Sequence, residues 1–312
     1  MKRQSMPMTM SRRGFLGTAA ATTAAAVVPV RLFAQNAKPN SNFNGVQIGV
    51  NTYSYRGMPG SAEQTLGYLL ENGLSSVELQ AGPINGYIKR PDIKADDPEA
   101  SQKWLAAAEN KEILERCAAL RKMYEDAGVK IHTSKFGNIG EGKMTDGEIE
   151  FNFIAAKALG SKVITRELDK NLAKRLAPFA DKYKIYIAFH NHEQINAKTY
   201  DDPFMALSDY LAINFDIGHY VASNDDSVVE FIEKFNKRIV SLHLKDRTTK
   251  ANGKKNLPFG EGNTPIVDVL KLISKNKYPM TADIELEYKV PEGSSPVKEV
   301  GVCVQYCKKA LS

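Results

Sequence analysis

Residues 159–190, LGSKVITRELDKNLAKRLAPFADKYKIYIAFH, decide the fold. Lys162–Arg166 is a short run of β-forming residues, Leu172–Lys182 sets its apolar residues at helical spacing, and Ile185–His190 is a second β-rich run. Leu159-Gly160 closes the preceding helical segment, where glycine takes the left-handed C-cap at little steric cost. Strand, helix and strand joined by short connections form a parallel β-α-β unit.

The same theme runs along the chain from Val46. Its strands are expected at Val46–Asn51, Ser75–Gln80, Val129–Ser134, Lys162–Arg166, Ile185–His190, Ala212–Asp216, Arg238–Leu244 and Thr281–Glu287. Helices are expected at Ala62–Glu71, Lys111–Ala127, Asp146–Leu159, Leu172–Lys182, Asp226–Phe235, Ile266–Lys275 and Val297–Ala310. Eight units in about 265 residues match a single-domain (β/α)₈ barrel. An open doubly wound sheet fits less well, because no Gly-rich phosphate loop follows the first strand, which runs into Asn51-Thr52-Tyr53-Ser54-Tyr55. Ala81–Glu99, rich in Pro, Gly and charge, reads as a long loop over the substrate site.

The first 37 residues read as an address. Ser11-Arg12-Arg13-Gly14-Phe15-Leu16-Gly17 is a twin-arginine pattern, and a weakly apolar Ala/Thr/Val stretch follows to Val30. That stretch is too short to span a bilayer, so the expectation is a signal over 1–37, the barrel over 38–312, a periplasmic protein and no lasting membrane association. Lys2, Arg3, Arg12, Arg13 and Arg31 supply five of the net +6 charges, so the remainder is near neutral and offers nothing to nucleic acid. Cys117, Cys303 and Cys307 are odd in number, lack a disulfide spacing, and read as buried thiols.

Four consecutive strands end in ligand-type residues. They give Phe189-His190-Asn191-His192-Glu193, Asn214-Phe215-Asp216-Ile217-Gly218-His219, Ser241-Leu242-His243-Leu244-Lys245-Asp246-Arg247 and Asp283-Ile284-Glu285-Leu286-Glu287. Four of the chain's 5 histidines lie in this set. At the carboxyl ends of neighbouring barrel strands such side chains converge, and burying them together favours a divalent cation: Mn²⁺ first, Zn²⁺ or Co²⁺ next. Period-2 alternation puts His190 and His192 on one face, and Glu285 and Glu287 on another.

These motifs, with Phe259-Gly260-Glu261-Gly262, resemble the xylose isomerase-like TIM barrels, the sugar phosphate isomerase/epimerase group that shares its fold with tagatose epimerases, inosose isomerases and apurinic endonucleases. The resemblance covers nearly the whole chain after residue 37. It implies one divalent ion bound from the fifth to eighth strands, with Asp216, His243 and Glu285 at matching positions. The fifth position departs from the pattern, since His190 stands where the family has Glu, with His192 and Glu193 as alternatives.

The implied chemistry removes a proton beside a sugar carbonyl and stabilises the enediolate with the metal. Glu285 would be ligand and base. With Glu absent from the fifth strand, the second acid/base is His190, His192 or Glu167, which ends the fourth strand. His219, Lys245, Arg247 and His192 are expected to orient a small sugar. The same proton abstraction followed by expulsion of a leaving group would make a lyase or dehydratase on a keto-sugar or keto-glycoside, and loss of the acid/base would leave a sugar-binding barrel. Glu78 reads equally as structural or functional, His132 as a satisfied core histidine, and Tyr53, Tyr55 and Tyr87 equally as lining for the sugar pocket or as barrel packing. Oligomeric state is not legible.

Overall fold

A computed structural model describes residues 38–312; the expected export signal at 1–37 lies outside the described residues. Eight parallel strands close on themselves: β1 Val46–Asn51, β2 Ser76–Gln80, β3 Lys130–Lys135, β4 Val163–Glu167, β5 Tyr186–His190, β6 Leu211–Asp216, β7 Ile239–Leu244 and β8 Thr281–Ile284. Closure is direct, since Ala282 of β8 lies opposite Ile48 of β1, and Val50 of β1 opposite Val77 of β2. The (β/α)₈ barrel expected from the sequence is therefore the fold. Strand ends differ from the expected ones by a residue or so, except that β8 stops at Ile284 rather than Glu287.

Ten helices follow the strands among the described residues: α1 Ala62–Glu71, α2 Ala81–Ile88, α3 Ala100–Ala108, α4 Lys111–Asp126, α5 Asp146–Ala158, α6 Lys170–Tyr183, α7 Ile217–Ser223, α8 Val228–Phe235, α9 Ile266–Asn276 and α10 Pro296–Ala310. Amphipathic spacing explains the long ones. In α4, Ile113, Cys117, Leu120 and Tyr124 form one buried stripe. Their starts are set by side-chain caps: Ser61 and Gln64 build a capping box on α1, while Asn110, Thr145, Asp169, Ser227 and Ser295 cap α4, α5, α6, α8 and α10. Gly160 after α5 has φ +79°, as the C-cap reading requires.

Three helices were not legible in the sequence. Within the expected loop Ala81–Glu99, residues 81–88 form α2, where Ile84 and Ile88, one turn apart, bury against the barrel despite two glycines and a proline. Helix α3 is held by tertiary contact, with the Trp104 ring 5.0 Å from Phe151 of α5 and the Arg90 guanidinium over both rings. Helix α7 is a seven-residue turn on β6 capped by Asp216. All three cysteines are buried and free. No helix among the described residues is long and apolar enough to cross a membrane.

The barrel interior is polar. Hydrogen bonds between strands that are not neighbours in the sheet must cross it: His132 of β3 reaches Asp283 of β8 at 2.9 Å, and Glu78 of β2 reaches His243 of β7 at 2.9 Å. His132 also pairs with Ser76 at 2.9 Å, so it is a satisfied interior histidine.

Candidate metal centre

Strand register brings the expected ligands together. His190 ends β5, Asp216 ends β6, His243 lies on β7 and Glu285 is the first residue past β8, anchored by its N–H to the Leu244 carbonyl at 3.0 Å. One donor atom from each lies within 4.8 Å of the other three, and all four residues are buried.

Each of the four is held by its other polar atom. Glu285 Oε1 accepts from Asn51 Nδ2 at 2.9 Å, and Gln80 in turn fixes Asn51 at 2.6 Å. His243 Nε2 faces Glu78 Oε2 at 2.9 Å, whose other oxygen takes the Thr165 hydroxyl at 2.7 Å. His190 Nδ1 faces Asn214 Oδ1 at 2.7 Å, and the Asn214 amide donates to Ser241 at 2.7 Å, which sets the amide's orientation and makes His190 the donor through Nδ1. Asp216 Oδ1 accepts the His219 N–H at 2.7 Å. What remains are Asp216 Oδ2, His243 Nδ1 and Glu285 Oε2, all buried; the Lys245 ammonium reaches both carboxylate oxygens, and His243 Nδ1 lies 3.3 Å from the Glu285 oxygen.

Two carboxylate oxygens and a histidine nitrogen aimed at one buried volume need positive charge beside them; Lys245 supplies part of it, and a divalent ion in place of the His243 proton would suit the rest. Two histidine nitrogens and two carboxylate oxygens fit a divalent transition ion, and the outer partners Glu78, Asn214 and Asn51 are the kind that orient metal ligands. The residues present therefore fit the group.

Burial pushes His190 well below the ordinary histidine range, with the His243 charge adding to it, so the ring is neutral with Nε2 free. Burial would also lower His243, but Glu285 and Glu78 overcome this and hold it well above the usual value, so a metal would have to displace a proton from the ring. Burial would raise Glu285, yet Lys245 and His243 keep it well below its usual value and ionised.

Lys245 is the unexpected member. Its ammonium, 2% exposed, lies 2.9 Å from Asp216 Oδ2, 2.7 Å from Glu285 Oε2 and 2.8 Å from Glu287 Oε2. Desolvation is outweighed by Asp216, Glu285 and Glu287, which raise its pKa and keep it charged. Its path is opened by Gly218, where a Cβ would come within 2.6 Å of the Lys245 carbonyl and 2.9 Å of its Cβ. The residue expected to orient substrate is thus tied into the carboxylate cluster. Arg247 is likewise engaged, 2.9 Å from Glu193 and 2.6 Å from His219 Nδ1.

The other expected residues border the cluster. His192 is exposed; its ring lies 5.1 Å from that of His190 and 4.7 Å from that of His219. Glu167 sits between Lys135 at 2.8 Å and His192 at 3.2 Å. Glu193, an alternative fifth-strand ligand, turns instead to Arg247 and Lys254, so His190 is the β5 residue in the cluster. Tyr53 is exposed just past β1, whereas Tyr55 is buried, bonds Asn72 and packs on Tyr68 of α1, so it does not line the pocket. Asp246 carries no open donor site: its carboxylate takes the N–H groups of Gly260, Gly262 and Thr264 and pins that loop.

Sequence comparison places the fold in a family. The model of the xylose isomerase-like TIM barrel matches residues 40–302. The chain belongs to the xylose isomerase-like TIM barrel family. No curated protein matches the sequence significantly. Solved structures with the fold of this xylose isomerase-like barrel include the D-psicose 3-epimerase of Clostridium cellulolyticum H10, with 12% identity, 86% of this chain and 100% of that one covered, and TM-score 0.59. They also include the 3-keto-D-glucoside 4-epimerase of E. coli at 12% identity, 85% and 99% coverage and TM-score 0.56. A third is the probable 3-DHS dehydratase of petrobactin synthesis from Bacillus anthracis, at 14% identity, 84% and 99% coverage and TM-score 0.59.

Proposed function

We propose that this xylose isomerase-like barrel is a sugar isomerase or epimerase that works with one divalent ion, Mn²⁺ first among the candidates, held by His190, Asp216, His243 and Glu285. The observation that carries the reading is the convergence of one donor atom from each of these four buried residues within 4.8 Å of one another, with their opposite atoms anchored. When bound, the ion supplies Lewis acidity to the carbonyl and neighbouring hydroxyl of a hydroxy-ketone or aldose.

The chain's own groups supply the rest. Glu285 is ionised at neutral pH and takes the proton next to the carbonyl, its reach fixed through Asn51. His190, neutral with its proton on Nδ1 toward Asn214, offers only a lone pair at Nε2 and serves as ligand, so the proton returned to the substrate must enter from the rim. His192 and Glu167 form a rim pair that can relay a proton from solvent. His219, between Lys245 and Arg247, faces the substrate side of Asp216. Lys245 balances the crowded carboxylates and, with Arg247, holds the site's shape.

A second reading is a lyase or dehydratase on a keto-sugar or keto-glycoside. It is favoured by the absence of a carboxylate at the end of β5, where His190 stands, because elimination needs proton abstraction without delivery to the opposite face. Residues 1–37 are proposed as a twin-arginine signal delivering the barrel to the periplasm.

The test is Glu285→Gln. With metal content set by elemental analysis, the wild-type chain is expected to exchange a substrate C–H for deuterium from D₂O across a panel of ketoses and keto-glycosides. Glu285→Gln should lose that exchange and still bind the sugar calorimetrically. Full exchange by the variant, or by protein stripped exhaustively of metal, refutes the proposal.

A further inference from the structure

Beside the ligand set lies a second feature. A cleft of about 680 Å³ opens between the segments that follow β3, β4 and β5, within the roughly 300–1,000 Å³ range of small-molecule sites. None of the four ligand residues lines it. Glu167 joins the two: it walls the cleft on one side, and its carboxylate meets Lys135 and His192 on the other, with the His192 ring against His190.

The lining states what would bind. It is polar apart from Leu168, with Asn138, Asn171 and Gln194 offering amides that both donate and accept. No aromatic ring faces the cleft, which argues against a nucleobase or another flat ring. Arg166, 2% exposed, is held by two backbone carbonyls, from Nε to Glu167 at 2.7 Å and from one terminal nitrogen to Ile139 at 2.9 Å. No carboxylate ion-pairs with it among the described residues. Its second terminal nitrogen keeps its donors, and a buried guanidinium with spare donors is a strong anchor for an oxygen ligand. Glu141, Glu167 and Asp169 share the walls and outnumber Arg166 and Lys170, the latter already paired with Asp202 at 2.9 Å. That balance opposes an anion such as a phosphate or uronate. Alternating donors and acceptors without net positive charge suit the hydroxyls of a neutral sugar.

We propose that this cleft is a glycosyl subsite: the substrate is a glycoside whose reacting ring lies at the His190–Asp216–His243–Glu285 cluster and whose second, neutral sugar occupies the Arg166–Gln194 cleft. This rests on the sugar-directed reading above. It adds that the physiological ligand has two sugar units.

The test measures binding, apart from turnover. Titration calorimetry on the full barrel would compare glucose and methyl glucoside with maltose, cellobiose, trehalose and sucrose. At least one disaccharide should bind tenfold or more tightly than glucose. The exposed-residue variants Asn171→Ala and Gln194→Ala should reduce that advantage threefold or more and leave glucose and methyl glucoside unchanged. Arg166→Lys, which keeps charge but loses the fork, should do the same where it folds. Equal affinity for one and two sugar units, or an advantage untouched by both exposed-residue variants, overturns the subsite. A disaccharide advantage that responds to the variants in a protein that exchanges no substrate C–H keeps the subsite and rejects the isomerase reading; exchange without any disaccharide advantage does the reverse.

Discussion

Glu78→Gln probes how far a residue outside the ligand set governs it. Glu78 is fully buried and takes hydrogen bonds from His243 at 2.9 Å and Thr165 at 2.7 Å. Glutamine keeps the shape and can still accept from one of the two, so the change removes charge and leaves volume. Two consequences oppose each other. The His243 ring becomes a less basic ligand, and loss of such an outer partner costs about ten- to a hundredfold in metal affinity, or about 1.4–2.8 kcal/mol. The proton that the metal must displace is also held less firmly, because Glu78 is among the groups that raise the His243 pKa, and this favours metal binding. Proton competition operates only below the ring's folded pKa. On the alkaline side the full ten- to hundredfold weakening is therefore expected, and near neutrality a smaller one. Zn²⁺ titration against a chromophoric chelator at neutral and alkaline pH measures both. Wild-type affinity at alkaline pH, or a larger loss at neutral than at alkaline pH, refutes the reasoning.

Two further outcomes follow from the same cluster. Lys245→Met leaves Asp216, Glu285 and Glu287 without their buried cation, so in chelator the variant should lose about 3–5 kcal/mol in urea unfolding and regain part of it with added divalent ion; wild-type stability in chelator contradicts the ion-pair role. His243 is raised above its ordinary value of 6.5 in the folded chain, so its stabilising effect is full below that pH and fades as pH rises through the folded value. Metal-free protein should accordingly melt at falling temperature from neutral to alkaline pH, while the metal-loaded protein should not show this loss. Parallel calorimetric scans with and without chelator decide it.

Much was legible along the chain because the signals are local. The strand at Val46–Asn51 and the helix at Ala62–Glu71 fall where expected, since β-branched runs, helical periodicity and a Ser61 cap act within a few residues. The barrel follows from eight repeats of that rhythm, and Asp216, His243 and Glu285 could be picked out because a parallel barrel gathers the ends of its strands. Helices α2, α3 and α7 were not legible: their apolar faces are short, and what holds them is packing, as Trp104 on Phe151 illustrates.

The finer assignments needed three dimensions for a related reason. Whether His190, His192 or Glu193 joins the cluster depends on where one backbone turns after β5, and Arg247 and Lys254 draw Glu193 away. Glu78, Asn51 and Asn214 matter through partners up to 234 residues distant, as Asn51 is from Glu285. Spacing in sequence carries no trace of such a meeting. Residue types and their period determined which elements form and which strand ends carry donors; which atoms face one another across the barrel was decided only by its closure, which sets side chains from opposite strands in one small, dry volume.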